Sequence, residues 1–578
     1  MADYLIPLPA GPADLAAADW PQMNSWYDAL ATAGLTPATV DRWLATWSRL
    51  DELVTEAASR AMIAYTCDTS DPAKEQAHLR FSAEIMPKAE EQGVRLARRL
   101  VDSGLAPAGL ETTLERFRTA IEIFREANVP LFSELEELGA AYQRTTGSMT
   151  ADWEGERRPL PQLSPFLQSP DRPVRERAWR ATLQPYLDTR QVLAELFDRM
   201  YLLRQQVARN AGFASFRDYS FKAKFRFDYG PQDCLRFHDA VEETVVPALR
   251  RVLHDRRARL GLERLRPWDL AVNPYRTETL RPYREPAELP RVAARIFDRV
   301  DPMLGAEFQL MIDEGLLDLE SRQGKAPGGY CDTLHATGRP FIFMNASGVM
   351  DDVNTLLHEA GHAFHAFASH SQPLIWQRHP GSESAELASM SMELLANRYL
   401  ARPAGYLEEL DARRARLEHL EDVLASLAHI ASVDAFQHWI YASGEGQDAA
   451  ARDAEWIRIR RRFDPEVDWT GLEAERVARW YRQLHIFLYP FYYIEYGIAQ
   501  LGALQVWRNA QRDQAAATRA YRAFLALGAT RSLPDLYGAA GARLIFDAGG
   551  MADLVAAVER EIESLRAGLA GAPEVARG

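Results

Sequence analysis

Three histidines and a glutamate lie close together in one short apolar stretch of the sequence. The stretch NTLLHEAGHAFHAF, residues 354–367, contains His358, Glu359, His362 and His365, although the 578-residue chain has 13 histidines in all. Histidines at positions i and i+4 of a helix lie one above the other and can bind one Zn²⁺ through two imidazole nitrogens. The intervening glutamate can then take a proton from a water at the metal. We therefore predict His358 and His362 as metal ligands and Glu359 as a general base.

A helical wheel of residues 353–368 supports this interpretation. At about 100° per residue, the apolar side chains gather on one side and the three histidines on nearly the opposite side, with Glu359 on the flank. A histidine that merely fills the core should lie on the apolar side, and these do not. Asp351 and Asp352 can cap this helix, which we expect to begin near Val353.

A catalytic zinc with one open position needs a third protein ligand. A further histidine six residues after His362 would be one solution, but Ala368 occupies that position. The segment SESAELASMSMELLANRYL, residues 382–400, places Glu386 and Glu393 on one face of a mostly apolar helix, where carboxylates need partners. We predict Glu386 as the third ligand of about one zinc ion per chain, and Glu393 as a residue that orients a ligand imidazole. The alternative is that both glutamates pair with arginines.

A tyrosine-rich stretch is the last candidate for chemistry. HIFLYPFYYIEYGIAQ, residues 485–500, carries aromatic side chains at apparent helical spacing: His485, Tyr489, Tyr492 or Tyr493, and Tyr496. Such a stripe is typical of core packing. The functional alternative is that the phenol hydroxyls enter a cleft and donate hydrogen bonds to a developing oxyanion.

The elements that must position these residues are mostly helical. Apolar residues recur at i, i+3, i+4 and i+7 in many segments, with charged residues on the opposite faces. The glycine-rich segment 321–348 differs, because its stretch PFIFMN (340–345) is rich in β-formers and bounded by breakers. We therefore expect a small sheet just before the histidines. The proline-rich stretch 157–173 suggests a division into an N-terminal helical region, 1–190, and a catalytic region, 191–578.

Composition narrows the function classes. The net charge is −14 at pH 7, which gives no electrostatic basis for nucleic-acid binding. There are three cysteines, far apart in the sequence, so a disulfide framework is not expected. No apolar run approaches the roughly 20 residues that span a bilayer, and the N-terminus does not read as a signal peptide. We predict a cytoplasmic protein with no membrane partner.

These motifs resemble those of a known family. The sequence is similar to the thimet oligopeptidase and oligoendopeptidase F family of zinc peptidases, and looks most like the bacterial oligoendopeptidase branch. The matching elements are HEAGHAFH, the glutamates Glu386 and Glu393, the segment HIFLYPFYYIEYG and the glycine-rich GKAPGGYCD. The resemblance covers roughly residues 200–578. The chain departs from the family at Ala388 and Ser389, where related enzymes often have Pro and Ser, and in the spacing of His485 to the tyrosines.

The resemblance implies a mostly α-helical fold with two lobes around a deep substrate channel and the zinc at its floor. It also implies a zinc endopeptidase that cleaves short unstructured peptides, with His485, Tyr489 and Tyr496 contacting the substrate and the transition state. His365 would line the channel or support a ligand. The oligomeric state stays open.

Two other functions remain possible from the sequence. One is a helical zinc metallocarboxypeptidase, which would need a site for a free C-terminal carboxylate; no motif clearly supplies such a site. The other is a non-catalytic scaffold with structural zinc. Structural zinc sites are usually closed by four protein ligands, often cysteines, and no cysteine is adjacent to HEAGH in the sequence.

Overall fold

The computed structural model describes residues 4–275, 280–322, 324–326 and 328–570. Helices dominate these residues, which confirms the mostly α-helical fold. Gln323 and Pro327, which belong to the segment predicted as a small sheet, lie outside the described residues. No helix in the described ranges is long and apolar enough to cross a membrane.

The helices of the first half of the chain are α1 (Pro12–Ala17), α2 (Trp20–Thr32), α3 (Val40–Cys67), α4 (Pro72–Leu79), α5 (Met86–Asp102), α6 (Glu111–Ile123), α7 (Val129–Gly147), α8 (Ser164–Leu167), α9 (Arg172–Asp188), α10 (Arg190–Asn210), α11 (Phe216–Ala223), α12 (Pro231–Ala240), α13 (Val246–Arg259), α14 (Glu288–Val300) and α15 (Pro302–Asp313). Short π-helical turns join α4 to α5 and α12 to α13.

The helices of the second half are α16 (Met350–Ser369), α17 (Ile375–Arg378), α18 (Ser382–Ala396), α19 (Glu409–Ala442), α20 (Ala449–Phe463), α21 (Glu473–Tyr481), α22 (Leu484–Leu488), α23 (Tyr493–Arg512), α24 (Gln514–Leu527), α25 (Leu533–Ala539) and α26 (Ala548–Ala570). The candidate metal ligands lie on α16 and α18.

Among the described residues, five strands form two small sheets: β1 (Thr150–Trp153) pairs with β2 (Glu156–Pro159), and β3 (Leu317–Glu320), β4 (Tyr330–Leu334) and β5 (Arg339–Ala346) form the second sheet. In the second sheet β5 is central, parallel to β3 and antiparallel to β4. The stretch PFIFMN lies in β5, as its composition predicts. Both β4 and β5 pack against α16, so this sheet adjoins the histidine helix.

The chain forms two compact units, each built from three separate segments. The first comprises the described residues of Met1–Glu122, Leu280–Ala412 and Gly502–Leu544; the second comprises those of Ile123–Thr279, Arg413–Leu501 and Ile545–Gly578. In the first unit the N-terminal helices pack around a core that includes the fully buried Trp43 and Trp47. The division into 1–190 and 191–578 concerns functional regions and stays a prediction.

Candidate active site

Helix α16 carries the HEAGH motif and has a strong N-terminal cap. Asp352 accepts hydrogen bonds from the backbone N–H groups of Ser347, Gly348 and Val349 at 2.7–2.9 Å, and from the hydroxyl of Tyr283 at 2.6 Å. The helix begins at Met350, three residues before the predicted start, because Asp352 caps from inside the first turn. A carboxylate at this end satisfies amides that lack helical partners and stabilises the helix.

Gly361 explains how α18 comes close enough to the histidines. A Cβ atom at this position would lie 2.5 Å from Ser389 Cα and 2.8 Å from the carbonyl oxygen of Ala388. The hydroxyl of Tyr521 donates a hydrogen bond to the same Ala388 carbonyl at 2.8 Å. The absence of a side chain in the middle of HEAGH thus lets the backbones of α16 and α18 approach closely.

This approach brings the three predicted metal ligands together. Glu386 Oε2 lies 3.4 Å from His358 Nε2 and 3.8 Å from His362 Nε2. One ligand atom from each residue falls within 4.8 Å of the other two. Two imidazole nitrogens and one carboxylate oxygen are the donor set of many catalytic zinc sites. The residues therefore fit a zinc ion.

Glu393 contacts one of these predicted ligands. Its Oε1 lies 2.7 Å from His358 Nδ1, which leaves Nε2 of the same ring facing Glu386. Ligand histidines commonly have this arrangement, with the second ring nitrogen held by a carboxylate. The predicted role of Glu393 has a geometric basis, and the alternative that Glu386 and Glu393 serve as arginine partners is not needed to explain their positions.

The two histidines have different electrostatic environments. Burial disfavours the charged form of His358, but hydrogen bonds with Glu386 and Glu393 outweigh burial and raise its pKa well above the ordinary value. Burial lowers the pKa of His362 to about 4, against the attraction of Glu386. A metal ligand must be a neutral imidazole, so metal binding has to displace the proton from His358.

Glu359 lies beside the predicted ligands and is 8% exposed. Burial raises the pKa of its carboxyl to about 7; the charge of His358 opposes this rise, and those of Glu386 and Glu393 add to it. The backbone N–H of Cys331, on β4, donates a hydrogen bond to the same carboxylate. The candidate base is therefore held between the histidine helix and a strand of the small sheet.

Two contacts were not predicted from the sequence. Ser389 Oγ donates a hydrogen bond to Glu386 Oε2 at 3.1 Å; the signal for it was available, because a residue at i+3 faces the same side of a helix. The amide of Cys331 gave no comparable signal, since its position depends on how β4 packs against α16. His365 is not a member of the ligand group: it is buried beside the ring of Phe524, with centroids 5.4 Å apart.

The tyrosine-rich segment belongs to the second compact unit, whereas the predicted metal ligands and Glu359 belong to the first. The apparent helical spacing of the aromatic residues in 485–500 does not correspond to one continuous helix. Helix α22 ends at Leu488, Phe491 has a φ of +61°, and α23 begins at Tyr493. Pro490 accounts for the interruption, because it has no N–H and disfavours helical backbone before it.

The aromatic side chains nevertheless cluster within that unit. The ring of His485 lies 5.8 Å from Tyr489 and 5.9 Å from Tyr496, centroid to centroid. Tyr489 is 53% exposed, so core packing does not account for its side chain. Tyr493 accepts a hydrogen bond from Gln483, and burial raises its pKa to about 12.

Comparison with known proteins agrees with these motifs. The model of Peptidase family M3 matches residues 166–554. Oligoendopeptidase F, chromosomal, of Lactococcus lactis subsp. cremoris is 22% identical over 384 residues, which is 64% of this chain and 58% of that protein. Oligopeptidase PepF of Bacillus subtilis strain 168 is 26% identical over 251 residues, 41% of this chain and 36% of that protein. The match spans about three fifths of the length of the first curated relatives.

Solved structures share the fold over nearly the whole chain. Pz peptidase A with inhibitor 2 has a TM-score of 0.88 at 27% identity, covering 95% of this chain and 98% of that one. An X-ray structure assigned to oligoendopeptidase F has a TM-score of 0.87 at 30% identity, covering 95% and 97%. The family resemblance seen in the sequence is confirmed. The chain belongs to Peptidase family M3 and resembles its oligoendopeptidase F members.

Proposed function

We propose that this protein is a zinc-dependent endopeptidase that hydrolyses internal bonds of short unstructured peptides. The observation that carries the proposal is the convergence of His358, His362 and Glu386 within 4.8 Å, with a buried Glu359 beside them. Family membership supports the same reaction class, since relatives are named oligoendopeptidases. No helix in the portion of the chain that the structure describes could span a membrane, and a cytoplasmic location remains our expectation.

Each residue at the site has a defined role in this proposal. His358 and His362 bind zinc through Nε2, and Glu386 binds it through its carboxylate. When bound, Zn²⁺ polarises a carbonyl oxygen and lowers the pKa of water. Glu393 fixes the ring of His358, and Ser389 fixes the carboxylate of Glu386, so the ligands are held in place before the ion arrives.

Glu359 moves the proton. Its carboxylate accepts a proton from the attacking water and delivers it to the amide nitrogen of the leaving group. The hydrogen bond from the Cys331 amide keeps the side chain in one orientation. Because that amide belongs to β4, a substrate backbone that pairs with this strand would lie next to the base; strand addition of this kind is a common way to bind extended peptides.

The tyrosine cluster supplies the remaining candidates. We propose Tyr496 as a hydrogen-bond donor to the oxygen of the scissile carbonyl as negative charge develops there. Tyr489 and His485 are proposed as substrate contacts. The support for these three roles is the family resemblance together with the clustering of their rings.

The test uses internally quenched peptides of graded length, with cleavage sites read by mass spectrometry, with and without a chelator. Glu359→Gln should retain zinc while kcat falls by at least about 10²-fold, the lower end for loss of general acid–base catalysis. Glu307→Gln is the matched control, since burial also raises the pKa of Glu307 to about 7 and we assign it no catalytic role. Near-normal turnover of zinc-loaded Glu359→Gln would exclude the mechanism.

The same assay separates the alternatives. Cleavage inside a peptide with an amidated C-terminus excludes a carboxypeptidase. Removal of single C-terminal residues, abolished by amidation, would instead establish the carboxypeptidase. Stoichiometric zinc without cleavage of any peptide in the series would point to the non-catalytic scaffold.

A further inference from the structure

A second group of potential metal ligands lies in the second compact unit. Cys234 and His238 are four residues apart on α12, and Asp434 and His438 are four residues apart on α19. Side chains four residues apart project from the same face of a helix. The two pairs meet, and all four residues are at most 4% exposed.

The distances within this group resemble those of the HEAGH site. Ligand atoms of Cys234, Asp434 and His438 all lie within 4.8 Å of one another. His438 Nε2 lies 3.4 Å from Asp434 Oδ2, the same separation as between His358 Nε2 and Glu386 Oε2. Ligand atoms around a tetrahedral zinc are about 3.3–3.8 Å apart, given metal–ligand distances of about 2.0–2.3 Å.

Several of these polar atoms have no hydrogen-bond partner. They are both ring nitrogens of His438 and the Oδ1 atom of Asp434. The ring of His438 packs instead against aromatic rings. The ring centroid of Phe491 lies 5.4 Å from that of His438, and that of Phe221 lies 5.8 Å from it. Buried polar groups are nearly always satisfied, so unpartnered atoms that converge with a thiol call for a ligand between them.

Asp434 already has a partner on its other side. His238 Nε2 lies 2.8 Å from Asp434 Oδ2, a distance at which the ring can hold the carboxylate in place. A histidine of this kind beside a metal-binding carboxylate matches the outer partners that orient ligands elsewhere in proteins. His438 is therefore not required as the partner of Asp434: its Nε2 has only the long 3.4 Å contact with Asp434 Oδ2, and its Nδ1 has no hydrogen-bond partner.

We infer that Cys234, Asp434 and His438 bind a second divalent metal ion, with zinc as the best match, while His238 orients Asp434. Sulfur, nitrogen and oxygen donors together suit Zn²⁺ better than Mg²⁺ or Ca²⁺, which take oxygen ligands. The metal content would then be two ions per chain, one more than the HEAGH motif predicts.

Charge balance favours a dication at this position. A thiolate and a carboxylate carry two negative charges, so a divalent ion with a neutral imidazole leaves the buried group uncharged overall. Binding releases the proton of the Cys234 thiol to solvent. The nearby guanidinium of Arg226 forms an ion pair with Glu495 at 2.8 Å. The negative charges of Cys234 and Asp434 are therefore not needed to neutralise Arg226.

The role of such an ion is structural. All its ligands are buried, which offers no access for a substrate, unlike the partly exposed His358 and His362. By joining α12 to α19, the ion would link chain segments about 200 residues apart in sequence. A metal that binds the folded state and not the unfolded chain stabilises the fold.

Cobalt substitution tests this inference independently of peptidase activity. After removal of zinc and loading with Co²⁺, the desalted wild-type protein should hold two cobalt ions per chain and show a sulfur-to-cobalt charge-transfer band in the near ultraviolet. The HEAGH ligands contain no sulfur, so the band reports a cysteine ligand. His362→Ala should lower the count to one and keep the band, whereas Cys234→Ser should lower the count to one and abolish it.

The remaining cysteines provide controls. Cys67→Ser and Cys331→Ser should both keep the band; its loss in Cys331→Ser would place the thiolate beside Glu359 and overturn the inference. If Cys234→Ser does not fold, His438→Gln replaces it, with the same expected loss of one ion. A count of one cobalt per chain without the band in the wild-type protein would show that the cluster is a buried ion pair and not a metal site.

Discussion

Glu386 is the residue on which the predicted metal site depends most. Its Oε2 lies 3.4 Å from His358 Nε2 and 3.8 Å from His362 Nε2, and it brings the negative charge that two imidazoles lack. Glu386→Gln keeps the shape of the side chain and removes that charge. We expect the affinity for Zn²⁺ at this site to fall by more than about 100-fold, beyond the range of about 10–100-fold for loss of an outer partner. Competition with a chelator of known affinity measures it.

Glu393→Gln is the matched comparison, because Glu393 contacts His358 Nδ1 and is not predicted to touch the ion. Glu393→Gln should weaken zinc binding by about 10–100-fold. Equal losses in the two variants, or full retention of zinc at the HEAGH site by Glu386→Gln, would show that the third ligand is misassigned.

Tyr496 is the residue proposed to stabilise negative charge on the substrate. Tyr496→Phe removes the hydroxyl and keeps the ring packing around His485. Loss of one such donor typically lowers kcat by about 10²–10³-fold, with a much smaller effect on KM. Steady-state kinetics on one quenched peptide provides the measurement.

The comparison variant is Tyr493→Phe, because the Tyr493 hydroxyl accepts a hydrogen bond from Gln483 and we assign it no contact with the substrate. Its effect on kcat should be much the smaller of the two. A Tyr496→Phe enzyme that changes only in KM would make this tyrosine a substrate-binding residue and not an oxyanion donor.

At the scale of residues, the sequence predicts what helical spacing encodes. The i, i+4 relation places His358 and His362 together, and the polar face of 382–400 identifies Glu386 and Glu393. The hydrogen bond from the Cys331 amide to Glu359 has no such local signature. The pairing of Cys234 and His238 with Asp434 and His438 also escapes prediction, because each spacing is unremarkable until the fold brings α12 and α19 together.

At the scale of elements, the approach of α16 to α18 sets the site. Gly361→Ala would place a Cβ atom 2.5 Å from Ser389 Cα, which is backbone and cannot rotate away. Overpacking of this kind typically costs about 1–3 kcal/mol, more than the roughly 1 kcal/mol that alanine gains over glycine within a helix. We expect a lower urea midpoint and weaker zinc binding, because α18 carries Glu386.

Gly93 in α5 provides the control for this substitution. A Cβ atom there meets nothing within 4 Å, so Gly93→Ala should raise stability by up to about 1 kcal/mol through helix propensity alone. If the two substitutions shift the urea midpoint in the same direction, the close contact between α16 and α18 is not the reason that glycine is required at position 361.

Helix boundaries show where periodicity misleads. Residues 485–500 match a helical pattern, yet the chain breaks between α22 and α23 because Pro490 interrupts the backbone bonding. The tyrosine rings still lie around His485. They are brought together by the turn between the two helices and not by a shared face of one helix. The sheet before α16 was easier to predict, because segment 321–348 is rich in glycines and β-formers and differs in composition from the helical segments on either side.

At the scale of the whole molecule, the chain folds as units that are not continuous in sequence. Each unit takes three segments, and local patterns carry no information about which distant segments pack together. The family match over residues 166–554 also spans both units. Most features of the fold that could not be predicted from the sequence are therefore contacts between distant segments.

Substrate size is the prediction that belongs to this scale. The family resemblance implies a recessed zinc site, and a folded protein would have to unfold, at a cost of about 5–15 kcal/mol, before its chain could enter. A short flexible peptide meets only the smaller cost of ordering the few residues it fixes. We therefore expect rapid cleavage of free oligopeptides and very slow cleavage of the same sequence inside a stable domain.

A single target sequence can be tested in three forms: as a free peptide, within a stable folded domain, and within destabilised variants of that domain. If cleavage requires the unfolded chain, the rate should rise about tenfold for each 1.4 kcal/mol of lost stability, because it follows the unfolded population. The free peptide sets the upper limit. Cleavage of the stable domain at the rate of the free peptide would show that the zinc site is open to folded proteins, and the recessed site would have to be abandoned.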